Sequence, residues 1–395
     1  MTVSKLRFPS PSSLVSHKLG ALTRWSSGGT PSKANKLYWE GDISWFTAAS
    51  MKSNKLSFSP TKISKLGLKN GSRLANKNDI LLLVRGSMLF NKIPVGILLN
   101  DAAFNQDVKA IKCLGEFNHE FALQWFLSKE PHLLSMVTGT GIGAGKLDTS
   151  ELQDLDVYLP DCKEQSRIAN FLSCIDDKIT LLDEQYVQLC QYKKGMMQKI
   201  FSQELRFKDN NGRDFPEWIK NSLGDIVTFF NGRAYKQTEW ENNGIPVIRL
   251  QNLTGSGSEY YYSNLKLPDH QYCNYGDLLY MWSATMGPVW WKGSKAIFHY
   301  HIWKVISVPG KSTEDFIYYI LDNITQKMLS EANGTTMAHI TKAGIEKKIV
   351  NLPSIKEQIK IAKFLSAIDD KVSLKKAELD KLKTWKQGLL QQMFV

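Results

Sequence analysis

No C-x-x-C pair occurs in this chain, and its five cysteines (Cys113, Cys162, Cys174, Cys190, Cys273) form an odd, scattered set. That rules out a zinc ribbon and argues against a disulfide framework, so a reducing compartment, the cytoplasm, is expected. No apolar run approaches the roughly 18 residues that span a bilayer. The opening stretch Met1–Pro9 lacks the apolar core and small-residue cleavage site of a signal peptide. Acidic excess is missing too: 50 basic against 38 acidic side chains leave a net charge of +12, which points to an anionic partner, nucleic acid first. With 395 residues, 43% of them hydrophobic, there is material for two or three domains with cores of their own.

What the chain does have is a repeat. Residues 159–201 (LPDCKEQSRIANFLSCIDDKITLLDEQYVQLCQYKKGMMQKIF) and 352–394 (LPSIKEQIKIAKFLSAIDDKVSLKKAELDKLKTWKQGLLQQMF) align without a gap at an offset of 193, with 20 of 43 positions identical. The period is too long for a solenoid, so a large unit has been duplicated. The rest of the unit repeats only faintly. Lys18-Leu19-Gly20 has a counterpart in Ser222-Leu223-Gly224, each expected to open a strand. Asn78–Leu82 corresponds to Tyr275–Leu279, Gly139-Thr140 to Gly334-Thr335, and Leu6-Arg7-Phe8 to Leu205-Arg206-Phe207.

Each repeated block opens on a helix-start signal. Asp161-x-x-Glu164 and Ser354-x-x-Glu357 follow a proline and fit the N-cap and N3 positions of a capping box. A heptad seam follows: Ile168, Leu172, Ile175, Ile179, Leu182, Tyr186, Leu189, Lys193, Met196 and Ile200 in the first block. The second block steps through Ile361, Leu365, Ile368, Val372, Lys375, Leu379, Leu382, Lys386, Leu389 and Met393. Each block is predicted to be one helix roughly 55–60 Å long, and the two to pack antiparallel with pseudo-two-fold symmetry. Lys193 and Lys386 hold matching seam positions. Either they snorkel from the packed region, the reading favoured here, or they fix register as buried polar residues.

The two stretches that precede the blocks read as α+β globules. Strand-like runs are Asp79–Arg85, Val95–Leu99, Gly244–Leu250, Asp277–Trp282 and His301–Ile306, with helix-like stretches at Phe117–Leu127 and Glu314–Leu329.

A catalytic centre is lacking. Thr138–Lys146 (TGTGIGAGK) fails the Walker A pattern, since Thr140 stands where a glycine is required and Leu147 follows Lys146. Gly139-x-Gly141-x-x-Ala144 fits the loose dinucleotide fingerprint, but it follows a helix-like segment and its counterpart Asn333–His339 keeps only Gly334 of the glycines, so a loop is the better reading. His299 and His301 have no further Cys, His or Asp neighbours to complete a metal site and read as sheet-surface residues. Asp176-Asp177 and Asp369-Asp370 lie inside the predicted helices, flanking the seam. Salt bridging or a partner subunit suits them better than acid–base work.

The repeated block, with its Leu-Pro, Lys-Glu-Gln, Ile-Ala, Phe-Leu and Ile-Asp-Asp-Lys, resembles the conserved regions of the specificity subunit of Type I restriction–modification systems. Ser27–Ser32 with Gly41–Trp45, and Val84–Ser87 with Phe104–Lys109, are similar to the first halves of such subunits; Ser283–Gly287 departs from the Arg-Gly-Ser pattern. The resemblance covers essentially the whole chain. It implies target-recognition domains at 1–160 and 204–353, a central helical region at 161–203 and a C-terminal helical region at 354–395. Each recognition domain would read one half of a bipartite, asymmetric target in double-stranded DNA, and the helices would set the unread spacer. The helices would also dock two methyltransferase subunits that use S-adenosylmethionine, joined by restriction subunits that use ATP and Mg. The chain itself would have no catalytic residue, no metal and no cofactor, and no membrane partner. Two other readings compete: the recognition part of a single-chain restriction or methylation enzyme, and a coiled-coil scaffold that does not read DNA.

Half-sites read from one face of DNA lie roughly 34 Å apart, and readers set among phosphate contacts carry the specificity. In the first domain Arg24, Thr30, Ser32, Lys33, Lys36, Thr47, Lys52, Arg85 and Lys92 are the candidates. In the second they are Arg233, Tyr235, Lys236, Arg249, Gln251, Asn252, Thr285 and Lys292. Trp45, Trp290 and Trp291 could stack on DNA, although packing within the protein is the favoured role. Counted by segment, net charge is +7 over residues 1–160, zero over 161–201, +1 over 202–353 and +4 over 354–395. The second globule is thus nearly neutral, and a DNA role there needs its basic residues concentrated locally.

Overall fold

A computed structural model describes residues 6–9, 11–141, 143–331 and 339–394. The repeated blocks form two unbroken helices, Cys162–Phe201 and Ile355–Met393. The chain divides into two units that cut across the linear order: Met1–Glu184 with Ala377–Val395, and Gln185–Lys376. Each unit therefore owns one globule and a portion of both long helices, rather than one segment of a four-part string.

The globules repeat far more clearly in structure than in sequence. In the first, strands run Thr23–Ser27, Val108–Cys113, Ile80–Leu83, Val95–Leu98 and Lys55–Leu56 across one sheet. A second sheet orders Lys62–Ile63, Ile43–Phe46, Ala102–Phe104 and Arg73–Ala75. The second globule has Val227–Asn231, Ile302–Ser307, Leu278–Met281 and Gly287–Trp290 in one sheet. Its other sheet holds Tyr261–Ser263, Ile245–Ile248, Ala296–Phe298 and Tyr272–Cys273. In both units the one parallel contact of the smaller sheet joins equivalent strands, Phe104 opposite Phe46 and Phe298 opposite Ile248. Ile80–Leu83 and Leu278–Met281 are buried throughout, which is why they read as continuous apolar runs. Lys18-Leu19-Gly20 and Ser222-Leu223-Gly224 do not open strands. They end one, and Leu19–Leu22 and Leu223–Ile226 form a single helical turn before the next. The Gly334-Thr335 counterpart lies outside the described residues.

The helix seams merge with the globule cores. Ile168, Leu172 and Ile175 of the first helix join Leu389, Leu390 and Met393 of the second in the core that holds Phe121 and Trp125. In the other unit Ile361, Leu365 and Ile368 share a core with Met197, Ile200 and Phe316. Leu182 and Leu379 are buried between these ends, whereas Ile179, Leu189, Val372 and Leu382 are only partly covered. Burying each such Leu or Ile contributes about 1.5–3 kcal/mol, so both long helices are stabilised mainly by what they cover.

Two sequence expectations change here. Asp161 does cap the first helix, its carboxylate accepting from the Glu164 amide at 2.8 Å. Glu164, however, does not close the capping box. It accepts from Arg7 Nε at 3.0 Å and from the Ser12 amide and hydroxyl, and Ser12 Oγ accepts the Asp161 amide instead. A guanidinium is the stronger partner for a buried carboxylate. The copy behaves alike: Glu357, fully buried, accepts from Arg206 Nη2 at 3.0 Å and Trp218 Nε1 at 3.1 Å. The Leu-Arg-Phe tripeptide thus recurs because its arginine neutralises the first turn of each long helix.

The seam lysines do not snorkel. Lys386, 7% exposed, reaches Asp176 Oδ1 at 2.5 Å, and Lys193 reaches Asp369 Oδ1 at 2.6 Å. An opposed carboxylate in each unit holds the ammonium in the seam of the antiparallel pair.

Substituting Arg206→Met should lower the stability of its unit by about 3 kcal/mol, because Glu357 is left charged and buried. Lys208→Ala, at an exposed pair with Asp214, should cost under about 1 kcal/mol. Urea unfolding followed by tryptophan fluorescence tests this; equal losses would refute the assignment.

Candidate nucleic-acid interface

In each globule four strands finish at the same end. In the first, the Gly29 amide donates to Phe104 O at 2.9 Å, Asn105 to Phe46 O at 3.0 Å and Val84 to Asp107 O at 2.9 Å. The segments after Ser27, Phe46, Leu83 and Phe104 are thereby drawn into one cluster. The second repeats the scheme: Arg233 donates to Phe298 O, His299 to Ile248 O and Trp282 to His301 O. Close approach demands glycine at matching positions, since a Cβ on Gly28 would lie 2.1 Å from Phe104 O and one on Gly232 2.3 Å from His299 O.

In the first globule this end carries Thr30, whose hydroxyl bonds Gln106 Oε1 at 2.6 Å, and Lys109, bonded to Ser27 Oγ. Lys33, Lys36, Trp39, Trp45 and Thr47 line an open cleft beside it. Trp45 is 7% exposed, bonded to Gly29 O and packed edge-on against Trp39, so it shapes the cleft wall. Arg85 is exposed on a two-residue strand opposite Lys146. The Thr138–Lys146 stretch there is a small hairpin laid on Arg85-Gly86, with Ile142 outside the described residues. Ser32 is exposed and its carbonyl accepts from Trp39 Nε1. Lys92 is exposed on the approach to Val95–Leu98. Arg24 and Lys52 are not part of the cluster. Arg24 is at the opposite end of its strand, opposite Lys112, and Lys52 lines a groove with Asp176 and Asp177 of the long helix.

The second globule's end is aromatic. Arg233 lies 4.7 Å over the Tyr235 ring and is held by Glu239; Tyr235 stacks on Trp240, Trp240 on Tyr261, and Arg249 sits 5.2 Å over Tyr261. His299, Tyr300 and His301 follow Phe298, with Trp282 5.3 Å from His301. They occupy a turn between two strands, not a strand face as expected. Burial, His301 and Arg249 push the His299 imidazole down to about 4, and burial with Arg249 lowers His301. Both rings are neutral at pH 7 and can donate as well as accept. Arg233 Nη1 and Tyr235 OH are buried without a hydrogen-bond partner.

Several expected contacts are engaged or displaced. Asn252 caps the turn Leu250–Thr254: its Oδ1 accepts the Arg249 amide, and Nδ2 donates to Gly257 O and Glu259 O. Gln251 packs along Gly257. Lys292 stands at the far end of its sheet, because Trp290 pairs with Leu278 while Gly287 pairs with Met281. Trp290 stacks on Tyr318, and Trp291 is 8% exposed. Lys236 and Thr285 are exposed near the cluster, Thr285 on the loop after Met281. Sequence reasoning missed Gln106, Lys109, Trp39, Trp240, Tyr261 and Trp282. Gln106 and Lys109 lay within the Phe104–Lys109 segment already singled out, whereas Trp39, Trp240, Tyr261 and Trp282 carried no signal beyond being aromatic.

Among the described residues no group of His, Cys, Asp or Glu is placed to hold a metal ion, and no helix is long and apolar enough to cross a membrane.

A family model described as the type I restriction modification DNA specificity domain matches residues 11–191 and 216–384. The chain is 25% identical over 343 residues to the type I restriction enzyme MjaVIII specificity subunit of Methanocaldococcus jannaschii, covering 81% of this chain and 79% of that one. The crystal structure of the type I restriction–modification S subunit from M. genitalium superposes with a TM-score of 0.61 at 17% identity, covering 100% and 99% of the two chains. A chain solved in work on complex assembly and conformational transition of the type I system gives 0.57 at 16% identity over 98% of each. With the family model spanning both globules and most of both long helices, the chain belongs to the type I restriction–modification DNA specificity subunits.

Proposed function

We propose that each globule reads one half of a bipartite, asymmetric target in double-stranded DNA through its strand-end cluster. The carrying observation is that one loop scaffold is built twice with different side chains: Asn105-Gln106-Asp107 in one copy, His299-Tyr300-His301 in the other. An unchanged frame with changed chemistry is what two different half-sites require. In the first globule Thr30, Lys33, Lys36, Thr47, Arg85 and Gln106 contact phosphates and base edges. In the second Arg233 and Arg249 are the guanine readers, with Lys236 and Thr285 on the backbone.

The helices set the spacer and dock two methyltransferase subunits, which bring S-adenosylmethionine; restriction subunits bring ATP and Mg, and this chain catalyses nothing. The docking is supported by exposed residues that the duplication keeps in pairs. Tyr192 and Trp385 are 49% and 50% exposed, and each is followed three residues on by a mid-helix glycine, Gly195 or Gly388, with nothing within 4 Å of a Cβ. Such a glycine costs the helix about 1 kcal/mol and serves no packing within the chain. A flat notch beside an exposed aromatic, present once per unit, suits two copies of one protein.

Arg249→Ala should weaken DNA binding about tenfold, as expected for loss of a bidentate base contact, and relax only one half of the target, read by mapping methylated adenines. Lys292→Ala should leave the target unchanged. If Arg249→Ala alters both halves or neither, the assignment fails.

Trp385→Ala should reduce bound methyltransferase from two copies towards one, measured by native mass spectrometry. Gly388→Ala should stabilise the free chain and still weaken docking; an undiminished complex for both variants would sink the notch.

Because His299 and His301 have lowered pKa values, the unfolded chain takes up their protons first. Stability of the second globule should hold above about pH 6.5 and fall as pH drops towards 4. His299→Gln should flatten that fall in urea titrations.

A further inference from the structure

The two seam salt bridges are copies of one another. Adding the repeat offset of 193 to Asp176 gives Asp369, and subtracting it from Lys386 gives Lys193. Each pair lies within one unit, so the same antiparallel register is specified twice. The side chains are largely withdrawn from water: 9% and 21% exposed for Lys386 and Asp176, 19% and 30% for Lys193 and Asp369. The carboxylates also bind their globules. Asp176 Oδ2 accepts from Gln124 Nε2 at 3.0 Å, and Asp369 Oδ2 from Tyr319 OH at 2.8 Å. Gln124 is 3% exposed, and its Oε1 has no partner, so the carboxylate is the group that holds this amide. Lys193 has a second carboxylate, Asp322, at 3.6 Å.

An apolar heptad seam alone does not choose a register, because a slip of one heptad again faces apolar residues with apolar residues. The charges remove that freedom. Slipped one way, Asp176 would face Leu379, Asp369 would face Tyr186, and the two lysines would face Ala169 and Ala362. Slipped the other way, Lys386 would meet Asp183, but Asp176 and Asp369 would face Met393 and Ile200, and Lys193 would face Lys376. Either slip strands charges in an apolar seam or sets like charges together.

We propose that Asp176–Lys386 and Asp369–Lys193 form one register lock built twice, which selects the single helix alignment that defines the spacer between half-sites. The proposal rests on the spacer-setting role given to the helices above. These are positioning residues: they touch each other and the globule helices, and they act on the target only through alignment.

The test uses the full chain assembled with its methyltransferase partner, with two double variants of the same net charge. Asp176→Lys with Lys386→Asp restores opposite charges in one lock. Asp176→Lys with Lys193→Asp leaves like charges in both. Methylated adenines are mapped on a library of targets with varied spacers, and urea unfolding is followed in parallel. The matched double should methylate the wild-type spacer within about threefold of wild type. The mismatched double should fall at least tenfold there or shift to another spacer, while each isolated half-site is still bound. Equal behaviour of the two doubles, in methylation and in unfolding, overturns the lock. If the matched double unfolds like wild type and the mismatched one does not, yet both keep the wild-type spacer, the spacer assignment is overturned. If the wild-type complex methylates no bipartite sequence, the reading of the target falls, and the unfolding pattern alone decides whether the lock exists.

Discussion

A helix of forty residues with an apolar stripe must have that stripe covered along its length, and everything else in this protein follows from how the covering is shared. Neither globule could cover such a stripe alone. The first covers Ile168 to Ile175, the second Met197 to Ile200, and the copied helix supplies the facing residues in each unit. Cores of globule and seam are therefore continuous. A recognition domain in this arrangement is held by burial, which is strong and non-directional, while the direction and register come from a few charges.

Those charges are placed where burial makes them consequential. Arg7 and Arg206 neutralise Glu164 and Glu357 in the first turns of the two helices. Burial raises the Glu164 carboxyl, but its bonds from Arg7 and Ser12 outweigh that and hold it below the usual carboxylate range. Further along, Lys386 and Lys193 meet Asp176 and Asp369. Each helix is thus pinned to its unit at its start and at its seam, and every pin occurs twice because the unit was duplicated.

The elements decided by local pattern were legible in the sequence: the heptad steps from Ile168 to Leu182, the buried strand Ile80–Leu83, and the capping aspartate Asp161. What depended on distant partners was not. Lys386 reads as a snorkelling residue until Asp176, 210 positions away, is known to face it. Glu164 reads as the second half of a capping box until Arg7 is brought beside it. The strand-end cluster was half legible for the same reason. Arg233 and Arg249 follow strands and so land together, but Lys292 is equally basic and equally close in sequence, and antiparallel pairing sends it to the other end. Asn252 has the right chemistry for adenine, and its amide is engaged by the backbone instead.

Net charge over a domain and charge at its binding surface are different quantities. The second globule is nearly neutral, yet its strand-end cluster concentrates Arg233, Lys236 and Arg249. Acidic residues that cancel this charge in the total lie elsewhere: Asp277 pairs with Lys304 at 2.6 Å, and Asp322 lies 3.6 Å from Lys193. Glu239 stands within the cluster and fixes the direction of Arg233. At physiological salt the field of a charge fades within about 8 Å, so a ligand at the cluster responds to the nearby arginines far more than to the net charge of the domain. Weak long-range attraction combined with strong local donors favours discrimination between sequences over indiscriminate adhesion to phosphate. A near-zero total is thus compatible with a reading surface.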